Sequence, residues 1–357
     1  MTHTDALSRV RVYKRGWRYE RTVEVSGLLA GSGVNQPQRL SFLVPIRGQR
    51  LTGVDWLGRW VEWEHPTMGR FCGYVEDRAK SGDDGLMEIA VVGHVNILSK
   101  RRTIRRYRPA SGPPGAIITR ALADVTLDAG MPFRLDVSER GPHLKYEFRG
   151  DSIMEVFQTM SSASGQEWSS WNDDDGTLVI QWRKQIGKDQ TQRVVFTEGV
   201  NVIAARSELT INGLVNDLLA IADDQQYSRA RGARIEAKGS VGRFGRMQDT
   251  RRYTGMVTQS ALGPKAAIDL RTLALPAATV TLRVPHDDPK LSYVRDGTQI
   301  RLVSWQDNAI YRLRVLARDV DLDAGVVTLT CDAVSDITRA TQLNNWSWGG
   351  IPTQGSA

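Results

Sequence analysis

A chain of 357 residues is long enough for two or three domains and a sizeable buried core, and 47 Lys and Arg against 40 Asp and Glu leave a formal charge of +7. Two cysteines, Cys72 and Cys331, both inside apolar runs, exclude a disulfide framework and a zinc ribbon, while 41% hydrophobic and 24% charged residues exclude bulk disorder. No stretch approaches about 18 consecutive apolar residues, and no signal-length apolar run follows the polar start, so a soluble chain with no membrane insertion and no readable address is expected.

Residues 21–26, 40–46, 60–63, 71–75 and 86–92 alternate apolar and polar side chains between Gly, Pro and Asp, the period of half-buried strands. Ser81-Gly82-Asp83-Asp84-Gly85 supplies hairpin-turn chemistry between the last two. Residues 1–100 therefore read as a small antiparallel barrel or sandwich, with the barrel as the first choice. The texture then changes. Ile117, Ile118, Ala121, Leu122 and Val125 recur at helical spacing, and Asp151 or Ser152 caps a second helix carrying Ile153, Val156, Phe157 and Met160. Residues 166–170 and 178–182 flank Asn172-Asp173-Asp174-Asp175-Gly176 as a hairpin, which makes 101–200 an α+β insert. Residues 207–212 and 215–222 are expected to open a second barrel, interrupted within 201–278 by a basic excursion, 227–253, and a helix over 264–274 that starts at Pro264. Strand texture returns over 279–343, and 344–357 form a tail.

The last strands repeat the first. Val44-Pro45 recurs as Val284-Pro285, 240 positions on, and Leu51 as Leu291. The same offset places Phe71 over Tyr311, Val75 over Val315, Asp83 and Gly85 over Asp323 and Gly325, Ile89 over Leu329, and Val91 over Cys331. Between them, Trp60-Val61-Glu62-Trp63 is set over residues 301–305, ending in Trp305, with a shift of about two. A one-residue slip would reverse every strand face, so an offset recovered on both sides of a gap indicates a duplicated barrel. The predicted fold is α+β, mainly β, with two duplicated small antiparallel β-barrels and α+β segments inserted between and around them.

Phe71-Cys72-Gly73-Tyr74-Val75 leading into a D-x-G hairpin, then Ile89 to Gly93 and Ile97-Leu98, resembles the hub proteins at phage tail tips. The likeness continues through Asn216-Asp217, Leu218-Leu219, Tyr253, Ala266-Ala267, Leu270, Pro276 and Val280-Thr281-Leu282. It covers residues 10 to 340 and lies in order and spacing rather than in one motif. The family comprises the baseplate hub of contractile tails and the N-terminal hub region of tail-associated proteins in long flexible tails. The resemblance implies a non-enzymatic virion protein at the tail tip, made in the host cytoplasm. It implies a homotrimer whose six barrels form a pseudo-hexameric ring, so that a three-fold tip meets a six-fold tube. Implied partners are a hexameric tail tube or distal tail protein ring, tail fibre or spike proteins, and transient DNA in the lumen. The large C-terminal extension of some relatives is not expected here.

No catalytic, cofactor-binding or metal residue is expected. His3, His65, His94, His143 and His286 fall in separate segments without metal-ligand spacing, and Asp173, Asp174 and Asp175 read as a solvated turn rather than a calcium loop. The basic clusters are the main nonstructural signal. Arg101, Arg102, Arg105, Arg106 and Arg108 form one, with Lys100; Arg229, Arg231, Arg234, Arg243, Arg246, Arg251 and Arg252 form the other. Subunit pairing or solvation is the first reading, and a grip on nucleic acid the rival. Trp56, Trp60, Trp63, Trp168, Trp171, Trp182 and Trp305 fall on predicted strands and read as core or interface, with a sugar site as rival; Trp346 and Trp348 in the tail are expected to dock on another subunit or tail protein. The alternatives to a hub are thus a nucleic-acid or polysaccharide binding module and, more weakly, a hydrolase with dispersed acids.

Overall fold

The alternation at residues 21–26 belongs to a longer strand that organises the first barrel. A computed structural model describes residues 8–14, 16–45, 55–65, 69–80, 85–103, 108–123, 133–138, 141–148, 150–223, 231–254, 259–305 and 308–333. Strands β1 (Ser8–Lys14), β2 (Arg18–Gly33), β3 (Gln36–Pro45), β4 (Trp60–His65), β5 (Gly69–Lys80) and β6 (Leu86–Gly93) run in the order β1-β4-β5-β6-β3-β2. Pairing of β2 back onto β1, Ser8↔Val25 to Lys14↔Arg18, closes a six-stranded antiparallel barrel. Val10, Val12, Val25, Phe42, Trp56 and Ile89 fill it, as their alternation requires.

The next segment builds β7 (Arg108–Gly112), a helix (Pro114–Ala123), β8 (Phe133–Val137), β9 (Leu144–Phe148), a helix (Ile153–Ser164), β10 (Glu167–Asn172) and β11 (Leu178–Arg183). Of the two cap candidates, Ser152 is the one used. Its hydroxyl accepts from the Glu155 N–H at 3.1 Å while the Glu155 carboxylate accepts from the Ser152 N–H at 2.6 Å, a reciprocal capping box. Strands β10 and β11 pair as the expected hairpin, and β8 adds to β11 in parallel. Phe157 meets Trp168 and Trp182 edge-on, with ring centroids 5.7 and 5.9 Å away, at the centre of this core.

Strands β12 (Val195–Thr197) and β13 (Ala204–Thr210) follow, and then the chain leaves. Strands β14 (Asp217–Asp223), β15 (Arg231–Glu236) and β16 (Gln248–Thr254) form a separate sheet in the order β15-β14-β16, and the helix Gln259–Leu273 packs on it. Residues 215–222 thus open no barrel: Leu218 and Ala220 of β14 bury against Leu262, Ala266 and Leu270 of that helix, a core of their own. The helix also starts five residues before Pro264.

The chain returns with β17 (Ala277–Pro285), β18 (Gln299–Ser304), β19 (Ala309–Asp321) and β20 (Val326–Ala333). Strand β13 pairs with β17 over its whole length. The order β12-β18-β19-β20-β17-β13 repeats that of the first barrel, although β12 meets β18 in parallel and reaches β13 only through the bridge Glu198↔Val202. The ladders repeat too. Leu40↔Val91 and Val44↔Met87 become Val280↔Cys331 and Val284↔Val327, and the bulge between Val75 and Asp77 recurs between Val315 and Ala317. A turn-forming glycine before each fourth strand, Gly58 and Gly297, donates its N–H to the carbonyl of Val75 and Val315, at 3.1 and 2.7 Å.

One alignment changes. Trp63 lies opposite Phe71, and Leu302 lies opposite Tyr311, so Leu302 is the counterpart of Trp63 and the offset there is 239. Trp305 falls past the end of β18 and stands 71% exposed, whereas Trp63 is buried. Two tryptophans look alike in sequence, but the ladder decides which positions face inward.

The two barrels share one sheet. Past the end of β1, β2 pairs with β19 from Leu29↔Asp321 to Gly33↔Ala317, giving a continuous twelve-stranded sheet.

Candidate assembly surfaces

The barrel junction is held by charge as well as by main-chain bonds. Arg318, buried on β19, donates from Nε to Asp296 at 3.1 Å and from its other nitrogens to the Val294 carbonyl at 2.8 Å and the Ser32 hydroxyl at 3.2 Å. Ser32 in turn donates to Asp296 at 2.8 Å, and Arg39 of β3 reaches Asp319 of β19 at 2.6 Å. These partners come from both barrels, so the chain fixes their relative orientation with satisfied, partly desolvated charges.

A second knot ties the first barrel to the insert. Glu62, buried on β4, accepts from Arg11 and Arg70 at 2.9 Å each and from the Tyr13 hydroxyl at 2.5 Å. Burial, with the hydrogen bond to that carboxylate, pushes the Tyr13 hydroxyl up to about 12, and burial pushes the Cys72 thiol up to about 12. Arg70 also donates to the Asp173 carbonyl at 3.2 Å, in the acidic turn between β10 and β11. The acids of that turn serve local geometry: Asp173 accepts from Arg134 and from the Trp171 ring N–H, and Asp175 accepts from the Thr177 N–H. Among the described residues no group of three or more His, Cys, Asp or Glu is placed to hold a metal ion. His94 packs 5.1 Å from Trp60, accepts from Asn172 at 3.2 Å, and is lowered to about 4 by burial.

The arginines read from the sequence fall on separate units. Arg101 and Arg102 join the first barrel to the insert: the Arg101 carbonyl accepts from the Ile153 N–H at 3.0 Å, and Arg102 pairs with Glu155 at 3.2 Å. Arg105 and Arg106 lie outside the described residues, and of Arg108 the backbone alone is described, in β7. The second cluster decorates the small sheet. Arg234 grips the buried Asp217 carboxylate through two nitrogens at 2.7 and 2.5 Å, joined by Gln248 at 2.7 Å and Arg246 at 3.7 Å, and these partners hold that carboxyl well below the usual range. Arg246 also reaches Glu236 at 3.4 Å, Arg251 pairs with Asp249 at 3.5 Å, Arg243 lies 5.1 Å over the Phe244 ring, and Arg252 is exposed on β16. Trp346 and Trp348 lie outside the described residues.

One surface was not legible from sequence. On the outward face of the β18–β19 hairpin, Trp305 and Ile310 are 71% and 68% exposed, and Val200 in the adjacent β12–β13 turn is 77% exposed. Glu198 fixes this end of the barrel by accepting from the Ser304 hydroxyl at 2.8 Å and the Trp305 N–H at 3.1 Å. The available signal was Trp305 beside a turn, which the Trp63 alignment obscured. A large aromatic with two aliphatic neighbours, exposed on a braced hairpin, is suited to burial against another protein.

The sequence matches no family model and no curated protein. Solved structures share the fold. The 43 kDa tail protein of prophage MuSo2 from Shewanella oneidensis aligns with a TM-score of 0.62 at 12% identity over 91% of this chain and 98% of its own. A tail protein from Neisseria meningitidis gives 0.62 at 13% identity over 93% and 98%, and the prophage tail protein gp18 from Listeria monocytogenes 0.58 at 12% over 94% and 98%. The fold is therefore that of phage tail proteins, as the resemblance in order and spacing implied, and it extends over nearly the whole of each chain.

Proposed function

We propose that this protein is a structural component of a phage-type tail tip, a baseplate or tail-tip hub. Three copies form a ring of six barrels that joins a hexameric tail tube, or a distal tail protein ring, to the tip complex. Fibre or spike proteins attach below, and DNA passes through the lumen on ejection. The observation that carries this reading is the duplication: two barrels with the same strand order and register, fused edge to edge in one sheet. One chain thus presents two equivalent units, and three such chains present six, which reconciles three-fold and six-fold partners.

The charge pattern supports assembly over catalysis or phosphate binding. Arg234, Arg246, Arg251 and Arg102 are all engaged with carboxylates of the same chain, which leaves their heads poorly placed to line a phosphate groove. The exposed Trp305 and Ile310 suit docking of one barrel end on a neighbouring ring. Light scattering of the purified chain, with electron microscopy of the same sample, tests this. A mass of three chains and a six-lobed ring are expected. A monomer that binds DNA with steep salt dependence would replace the hub by a nucleic-acid binding module.

A further inference from the structure

The junction between the barrels also marks where a second copy of the chain attaches. Within the chain, β2 outruns β1 and β19 outruns β18, and the two freed edges pair. Because the barrels are duplicates, each owns both kinds of edge, and the junction uses one of each. The other two remain. Strand β5 is paired by β4 only up to Tyr74, so residues 76–80 have β6 on one side and, among the described residues, no strand on the other. Strand β13 has β17 along one side, and among the described residues no strand lies along the other.

Burial marks the same edges. Glu76, Asp77, Arg78 and Ala79 are exposed, whereas their counterparts Leu316, Ala317, Arg318 and Asp319 are half-buried or buried. Ser207 and Glu208 are exposed, whereas their counterparts Ala30 and Gly31 are not. The counterparts follow from the ladders: Leu29, Ala30 and Gly31 face Ser41, Leu40 and Arg39 on β3, as Arg206, Ser207 and Glu208 face Thr281, Val280 and Thr279 on β17.

We propose that the β5 edge of one copy pairs antiparallel with the β13 edge of the next copy, with Ala79 opposite Glu208 and Asp77 opposite Thr210. This register is the one β19 and β2 use inside the chain, where Asp319 lies opposite Gly31. The side chains fit it. At the internal junction a small residue, Gly31, faces an acid, Asp319, that Arg39 neutralises at 2.6 Å. Between copies a small residue, Ala79, faces an acid, Glu208, that Arg206 holds at 2.6 Å. Small and acidic partners have exchanged sides, and each acid keeps an arginine. Charged residues on both edges also disfavour indiscriminate strand pairing, so a specific register is needed to join them. The contact is head-to-tail, and such contacts either close into a ring or run on as a filament. The register rests on the duplication alone; closure at three copies rests on the hub reading above.

Cysteines at the paired positions test it. The full-length double variant Ala79→Cys with Glu208→Cys, oxidised with diamide, is expected to form inter-chain disulfides and run as a covalently closed trimer on non-reducing gels. The native Cys72 and Cys331 are buried and stay in place. A slipped pair, Ala79→Cys with Ser207→Cys, points the two thiols to opposite faces and is expected to cross-link about tenfold less or weaker still. Cross-linked chains longer than three uphold the strand contact and overturn three-fold closure. A trimer by light scattering in which neither the Ala79–Glu208 cysteine pair nor Asp77→Cys with Thr210→Cys cross-links overturns the contact and leaves the trimer standing. A monomer without cross-links overturns both.

Discussion

Glu167 and Arg314 form a two-pronged ion pair that locks the α+β insert to the second barrel. Arg314 donates to Glu167 Oε1 at 2.8 Å and also to Oε2, which accepts from the Ile186 N–H at 2.8 Å. Arg314 donates besides to the Ile186 carbonyl at 3.0 Å, so both charges are desolvated yet well satisfied. Removing one partner strands the other. Arg314→Met is expected to cost about 3 kcal/mol, and Glu167→Leu combined with Arg314→Met to recover most of it, in urea unfolding. Additive losses in the double variant would show that the pair does not act as a unit.

His94 makes stability depend on acid. In the folded chain it is lowered to about 4 from an ordinary 6.5, because the neutral ring is buried against Trp60. The unfolded chain therefore takes up the proton first as pH falls. The contribution is complete above about pH 6.5 and is lost towards pH 4, a change of about 3 kcal/mol. Unfolding curves of His94→Gln are expected to lose that part of the pH dependence. An unchanged slope would remove His94 from the account.

The duplicated glycines should respond differently to the same substitution. Gly58 and Gly297 both have positive φ, +72° and +81°. Around Gly58 a Cβ meets no described residue within 4 Å, whereas at Gly297 it runs into the Ile186 carbonyl. Gly58→Ala is expected to cost about 1–2 kcal/mol, the backbone penalty alone. Gly297→Ala adds a backbone clash and is expected to cost about 3–5 kcal/mol. Equal losses in chemical denaturation would mean that the insert yields at Ile186.

Two tryptophans separate folding from assembly. Trp168 is fully buried, and Trp168→Ala is expected to cost about 3–5 kcal/mol. Trp305 is 71% exposed, and Trp305→Ala is expected to shift stability by no more than about 0.5 kcal/mol while reducing incorporation into tail particles. Calorimetry and a particle-assembly assay read the two effects separately.

Periodicity and turn residues alone were enough for β2 to β6, for a helix capped at Asp151 or Ser152, for the acidic hairpin and for the repeat at 240 positions, because these depend on alternation, capping and turn chemistry between near neighbours. The sequence could not assign β14, since Leu218 and Ala220 alternate in the same way whether they face a barrel or a helix. It placed Trp305 over Trp63, because composition does not reveal which residue a ladder sets opposite Phe71 or Tyr311. It also left the arginines ambiguous, since whether Arg246 is available to a phosphate depends on Asp217 and Glu236 lying within reach after folding. Only the tertiary structure decided that the barrels join through β2 and β19, because edge pairing between strands nearly 300 positions apart is set by where each strand outruns its neighbours, a property of the closed barrel and not of any local run.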